Sequence, residues 1–130
     1  MLTVKTTVKQ SSIHGLGVFA DQFIPKGTIV WMFKEGIDFK YTKQQFEQMN
    51  KEQQTKMTHF SYYDNNLECY ILCSDNSKYV NHSDNPNLPS HYDEHYVEGY
   101  SYANRDIMIG EEITDDYYEY DGVVKEKLEQ

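Results

Sequence analysis

Cysteine is scarce in this chain: Cys69 and Cys73 are the only two. Two thiols four residues apart cannot build a zinc site, which takes four ligands in recognised spacings. On a strand they share a face but lie too far apart for easy bridging, so they read as reduced core thiols in a reducing compartment. Long apolar runs are missing as well. The longest, Ile29 to Phe33, falls far short of a membrane span, and no N-terminal stretch has the make-up of a signal peptide. These absences predict a soluble, cytoplasmic (intracellular) protein with no membrane partner. Basic residues are few: 12 Lys and Arg stand against 21 Asp and Glu, a formal net charge of −9. Direct nucleic acid binding rests on clustered Lys and Arg and is not expected here. An acidic surface suits a basic, Lys-containing protein or peptide steered to it by charge, although solubility alone accounts for the same excess. Internal repeats and low-complexity linkers are absent too. The length, 130 residues, makes one compact domain and little more.

What the chain does have is tyrosine, twelve copies against one tryptophan and six phenylalanines. Tyr joins a large apolar ring to a hydroxyl that wants a partner when buried. A Tyr-rich chain can therefore line a polar-aromatic pocket, but most of the twelve are expected as exposed rings on strands. The order of elements is mainly β. Val4, Thr6 and Val8 alternate, Val18-Phe19-Ala20 is a second short apolar run, and Thr28 to Phe33 reads as a buried strand after a Pro25-Lys26-Gly27 turn. Residues 42–58 differ, being rich in helix formers. Thr42 with Gln45 forms a capping box, and Phe46, Met49, Gln53 and Met57 make a weak stripe, so one exposed helix is expected there. Tyr62-Tyr63, Tyr70-Ile71-Leu72 and Tyr96 to Tyr102 read as strands. Asn81 to Pro89 reads as a loop, and Val123 to Gln130 as a charged tail.

Three segments interrupt this β pattern. In Ser12-Ile13-His14-Gly15-Leu16-Gly17, two glycines between strands let backbone approach a ligand or take positive φ. A plain hairpin turn would look the same, and the third glycine and following helix of a dinucleotide fingerprint are missing. In Tyr79-Val80-Asn81-His82-Ser83-Asp84-Asn85-Pro86-Asn87, polar side chains can satisfy a tight loop or present donors and acceptors to a polar ligand. In Asn104 to Tyr117, the run that includes Gly110-Glu111-Glu112-Ile113 reads as a solvated acidic face, except that Ile107, Ile109 and Ile113 tie it to a core.

Together and in this order, Gly15-Leu16-Gly17, Asn81 to Asn87 and Gly110 to Tyr117 resemble the SET domain of protein lysine methyltransferases. The family pattern is Gly-x-Gly, then Asn-His-Ser-x-x-Pro-Asn, then Gly-Glu-Glu-Leu/Ile-x-x-x-Tyr. The likeness runs from about Lys5 to Asp121, and in its compactness the chain is similar to the small stand-alone SET proteins of bacteria and viruses. The resemblance implies a mainly β (α+β) fold, the β-clip of small sheets with a C-terminal pseudoknot, an exception to unknotted topology, and one inserted helix. It implies a SET domain over residues 1–121, the helical insert at about 42–58, and a tail at 122–130. The cofactor implied is S-adenosyl-L-methionine, leaving as S-adenosyl-L-homocysteine, with no metal. His14, Gly15, Leu16 and Gly17 would contact it through backbone, and Asn81, His82 and Tyr117 would complete its site. Tyr117 falls on the catalytic tyrosine. Tyr62, Tyr79 and Tyr120 are the expected walls of the channel for the substrate lysine, with a Lys-rich, histone-like protein as a natural substrate.

The chemistry suits these residue types. A methyl on a sulfonium is already activated, but the lysine amine must be neutral to attack. Holding it neutral at pH 7 costs about 4.6 kcal/mol from a pKa near 10.4. A desolvating aromatic channel beside a sulfonium cation lowers that pKa, and alignment of amine, methyl and sulfur does the rest. The chain departs from the family in places. Asp84 stands where many eukaryotic SET enzymes have a cysteine, and no cysteine follows Cys73, so the zinc segment that follows the domain in many of them is not expected here. Lys78 replaces a usual Arg and removes bidentate pairing. Asp115 stands where an aromatic often influences how many methyls are added. Two other readings compete: a SET-fold module that binds peptide or cofactor without transfer, and a metal-dependent hydrolase built on His91, His95 and Asp93 or Glu94. The second lacks the glutamate between its histidines that the zincin motif requires.

Overall fold

A computed structural model of the chain describes residues 1–117. Period-two alternation near the N-terminus becomes a hairpin of β1 (Thr6–Gln10) and β2 (Leu16–Ala20), with Val8 opposite Val18. Val18 and Ala20 turn inward and are buried. β3 (Ile29–Met32) and β4 (Asp38–Thr42) follow. Two helices come next, α1 (Lys43–Glu47) and α2 (Lys51–Phe60), and then β5 (Ser61–Asp64) and β6 (Cys69–Cys73). A 3-10 turn at Asn76–Tyr79 leads to β7 (Asn81–His82), β8 (Ser90–His91), β9 (Tyr100–Tyr102) and β10 (Glu112–Asp115).

The strands form three small sheets, ordered β1-β2-β10-β7, β3-β9-β8 and β4-β6-β5. This is the expected mainly β (α+β) architecture of small sheets. β10 lies between β2, to which it is antiparallel, and β7, to which it is parallel. The residues after β7 clasp it. Asn87 accepts from the Thr114 amide at 2.9 Å and donates to the Glu112 carbonyl at 2.8 Å. The Ser83 amide donates to Asp115 O and the Leu88 amide to Thr114 O. Asn87 is buried, so these bonds matter: a buried backbone group left without a partner costs about 1–3 kcal/mol. Ile113 is fully buried among Val18, Val80, Leu88 and Ile107. We predict that Ile113→Ala would lower stability by about 2–5 kcal/mol, read by denaturant unfolding; an unchanged midpoint would contradict this packing. A second cluster joins Trp31, Cys69, Ile71 and Cys73.

Several expectations need correction. The insert at 42–58 is two helices, not one. Thr42 and Asn50 each cap a helix with a full capping box, to Gln45 and Gln53 respectively, and the second box restarts the helix. Neither helix buries a residue. The strand expected from Tyr96 shrinks to Tyr100–Tyr102, because the Asp93 carboxylate accepts from the His95 and Tyr96 amides and holds a turn. Gly99 then takes φ +82, and a Cβ there would sit 2.9 Å from the Tyr92 ring. The ten tyrosines among the described residues are all half-buried, none exposed. Cys69 and Cys73 are buried and free at the two ends of β6. Tyr120 and the tail expected at 122–130 lie outside the described residues.

Candidate active site

One cavity of about 730 Å³ gathers the residues singled out from the sequence. Such a volume is ordinary for a small-molecule site. The β1–β2 loop brings His14, Gly15 and Leu16, β7 brings Asn81 and His82, and the end of β10 brings Asp115 and Tyr117. The same cavity is lined by Trp31, Phe60, Tyr62, Tyr79, Tyr92 and Tyr100.

The polar wall is held by side chain to backbone bonds. The Asn81 amide nitrogen donates to the carbonyls of His14 at 3.0 Å and Leu16 at 3.1 Å, which fixes the loop where Gly15 takes φ +45. The Tyr117 hydroxyl donates to Val80 O at 2.7 Å, and the Tyr117 amide donates to His82 Nδ1 at 3.1 Å. An imidazole that accepts at Nδ1 carries its proton at Nε2, and that nitrogen meets Asp84 at 3.0 Å. The residue that replaces the family's cysteine thus acts on the orientation of His82, from an exposed position.

Strand parity builds the aromatic wall. In β5, Tyr62 lies opposite Ile71 and Tyr63 opposite Tyr70. Tyr62 therefore faces the cavity, while Tyr63 stacks edge-on to Tyr70, which itself stacks on Phe46 of α1. Burial pushes the Tyr62 phenol well above its ordinary range, helped by nearby Cys73, Tyr92, Asp64 and Asp38. The ring as a whole is half-buried; the hydroxyl is its enclosed end. Burial likewise pushes the Cys73 thiol up to about 12, against a weaker lowering by Ser77, so this cavity-lining thiol stays protonated. Tyr79 ends the 3-10 turn capped by Asp75. Burial alone would raise the Asp75 carboxyl, but bonds from Ser77 and the Leu2 amide outweigh it and hold the acid low. Lys78 is exposed, with Nζ 5.4 Å from the Tyr79 ring centre.

Every candidate inside the described residues lines this cavity except Gly17. Gly17 is buried in β2 against Glu112, one residue beyond the lining. Trp31, Tyr92 and Tyr100 also line the cavity without having been expected there, and of the acidic pair read as a solvated face only Glu111 is exposed. Glu111 accepts from the Met108 amide at the surface, whereas Glu112 accepts from Ser11 and Asn81. The signal available was parity, since Ile113 faces the core and its neighbour must face the other way. The histidines of the rival metal site are apart in role: His91 sits edge-on to Tyr100 and His95 lies in the Asp93 turn. Among the described residues no group of three or more His, Cys, Asp or Glu could hold a metal ion, and no helix is long and apolar enough to cross a membrane.

A SET-domain family model matches residues 15–118. The chain belongs to the SET-domain family. The matched span holds Gly15 to Tyr117, the whole polar wall but His14. Two solved structures share the fold of this SET domain. One is a Plasmodium falciparum protein assigned as a histone methyltransferase, 22% identical with a TM-score of 0.61, covering 89% of this chain and 95% of its own. The other is a humanized mutant of the Chaetomium thermophilum Polycomb Repressive Complex 2 bound to the inhibitor GSK126, 19% identical with a TM-score of 0.68. There the likeness covers 92% of this chain and 15% of the other. No curated protein matches this sequence.

Proposed function

We propose that this SET domain transfers a methyl group from S-adenosyl-L-methionine to the ε-amine of a lysine in a basic protein or peptide. The observation that carries this reading is the place of Tyr117. Its hydroxyl is held on Val80 O at 2.7 Å where a polar and an aromatic wall share one cavity.

The residues fit such a cofactor. The polar wall is made of a glycine-kinked loop, Asn81, His82 and the Asp115 carboxylate, groups suited to an amino acid and ribose. The aromatic faces in the same cavity favour a cation. When bound, the cofactor supplies a methyl on sulfur that is already activated, which removes any need for a metal to activate it. The chain's own tasks are three. Tyr62, Tyr79 and their neighbours exclude water from the entering side chain, so an ammonium loses its proton to solvent on the way in. Tyr117 gives its proton to Val80 O and so turns oxygen lone pairs toward the cavity, where they align a neutral amine. Tyr62 stays protonated at any working pH and serves as a neutral hydrogen-bonding wall. The amine nitrogen then bonds to carbon as the carbon–sulfur bond breaks, and the extra proton on nitrogen leaves to solvent.

The overall charge of −9 supports a basic substrate steered by the field of the protein; a histone-like protein has that chemistry. Buried free thiols at Cys69 and Cys73 are at home in a reducing, intracellular compartment. The test is incubation of the purified chain with labelled S-adenosyl-L-methionine and a lysate of its own source, beside Tyr117→Phe. A few labelled bands, lost in the variant, are expected. Cofactor binding without any transfer would replace the enzyme by a binding module. No binding would sink the cofactor assignment.

A further inference from the structure

Ser11, Asn81 and Glu112 come from three distant parts of the chain and meet behind the loop that carries His14 to Leu16. The Ser11 hydroxyl lies 2.7 and 2.9 Å from the two Glu112 oxygens, and Asn81 Nδ2 donates to Glu112 at 2.9 Å. The same nitrogen reaches the His14 and Leu16 carbonyls. Ser11 completes the ring from the other side. Its Oγ accepts from the Ile13 amide at 2.9 Å, and its own amide donates to Gly15 O at 2.7 Å. All three neighbours of Asn81 Nδ2 are acceptors, so the amide cannot turn over without setting oxygen against oxygen. Gly17 makes room for this arrangement. A Cβ there would fall 2.5 Å from Glu112 Oε2 and 3.0 Å from Ser11 Cβ. Neither Ser11 nor Glu112 lines the cavity.

We infer that Glu112, with Ser11, is a positioning residue that sets the shape of the 11–17 loop through Asn81 and thereby sets cofactor affinity. This rests on the cofactor reading above. An acceptor-only carboxylate is what the place demands, since Ser11 and Asn81 both point donors at it. Glutamine keeps one acceptor for Asn81 and can offer its NH₂ to Ser11 Oγ, so it is the conservative replacement. Alanine removes the charged acceptor shared by Asn81 and Ser11, so the Asn81 amide is held by the His14 and Leu16 carbonyls alone and the Ser11 hydroxyl loses its acceptor.

The experiment uses the full chain and two readouts: S-adenosyl-L-homocysteine binding by calorimetry, and amide hydrogen exchange over residues 11–17 without ligand. For Glu112→Ala we expect roughly tenfold weaker binding, about 1.4 kcal/mol, and faster exchange at Ile13. We also expect KM for the cofactor to rise more than kcat falls, and Glu112→Gln to recover most of the loss. Ser11→Ala removes only a hydroxyl and carries the test should Glu112→Ala fail to fold. It should weaken binding about threefold and combine non-additively with Glu112→Ala. Folded variants with wild-type affinity and wild-type loop exchange would overturn the latch and leave the cofactor reading intact. A wild type that binds no S-adenosyl-L-homocysteine, yet whose loop exchange quickens in both variants, would keep the latch as a loop device and overturn its link to the cofactor.

Discussion

On one side of the cavity Asn81 fastens the backbone of His14 and Leu16, and Tyr117 is tied to Val80 and His82, all at 2.7–3.1 Å. The same cavity is lined by aromatic rings, Tyr62 and Tyr100 from strands, Tyr79 from the 3-10 turn and Tyr92 from the segment after β8. Bonds of the first kind fix atoms to a few tenths of an ångström and fail abruptly when one partner goes. Packing of the second kind changes dielectric more than geometry and tolerates substitution of similar shape. The contrast matches the two tasks of the proposed reaction, holding a cofactor still and stripping water from an amine.

That contrast can be broken or sharpened by substitution. The largest effect belongs to Tyr117→Phe, which leaves the ring and removes the bond to Val80. Turnover should fall roughly 10²–10³-fold, the scale for loss of one preorganised polar group, in a single-turnover assay with a Lys-rich peptide. Wild-type turnover would show that the polar wall does no alignment. Next comes Asn87→Ala, which strips both clasp bonds from β10. A loss of about 3 kcal/mol is expected in urea unfolding, and a loss under 1 kcal/mol would mean that water substitutes for the side chain.

Smaller effects belong to the aromatic side. Cys73 reports on its dryness. An unfolded thiol ionises near 9.0 and the folded one at about 12, so its contribution is complete below pH 9 and declines between those values. Stability should drop by about 1.4 kcal/mol from this group by pH 10. The pH 8 to pH 10 decline should be shallower by that amount in Cys73→Ala; equal slopes would mean a wet interior. Tyr62→Phe preserves the ring, so a change within about tenfold in kcat/KM for peptide is expected, with cofactor affinity unmoved. The smallest effect is Asn50→Ala at the head of α2, about 1 kcal/mol of stability with activity little changed, since the α2 residues that line the cavity, His59 and Phe60, sit at its other end.

How much of this was legible in the sequence depended on the range of the interaction involved. Thr42 with Gln45 was readable because a capping box is local. Val18 and Ile113 were readable as core because strand alternation is local too. The motif segments Gly15 to Gly17, Asn81 to Asn87 and Gly110 to Tyr117 carried the family, and the family model confirms it. What escaped were facts set by pairing across long separations. Gly17 is needed because Glu112 lies against it, 95 residues later in the chain. Tyr92 and Tyr100 reach the cavity because β9 pairs with β3 and β8. The second helix escaped for a different reason: Asn50 with Gln53 is as local as the first box, and it was overlooked because both sides of it look helical.

The clasp also dictates an order of events during synthesis. β10 pairs with β2, finished by residue 20, and with β7, finished by residue 82, yet β10 itself ends at residue 115. The central sheet, and with it the cavity, cannot close until residue 115 has left the ribosome. At ~5–20 residues per second, several seconds pass in which Val18 and Val80 have no Ile113 to cover them. Closure of the central sheet therefore waits for β10, the last strand among the described residues.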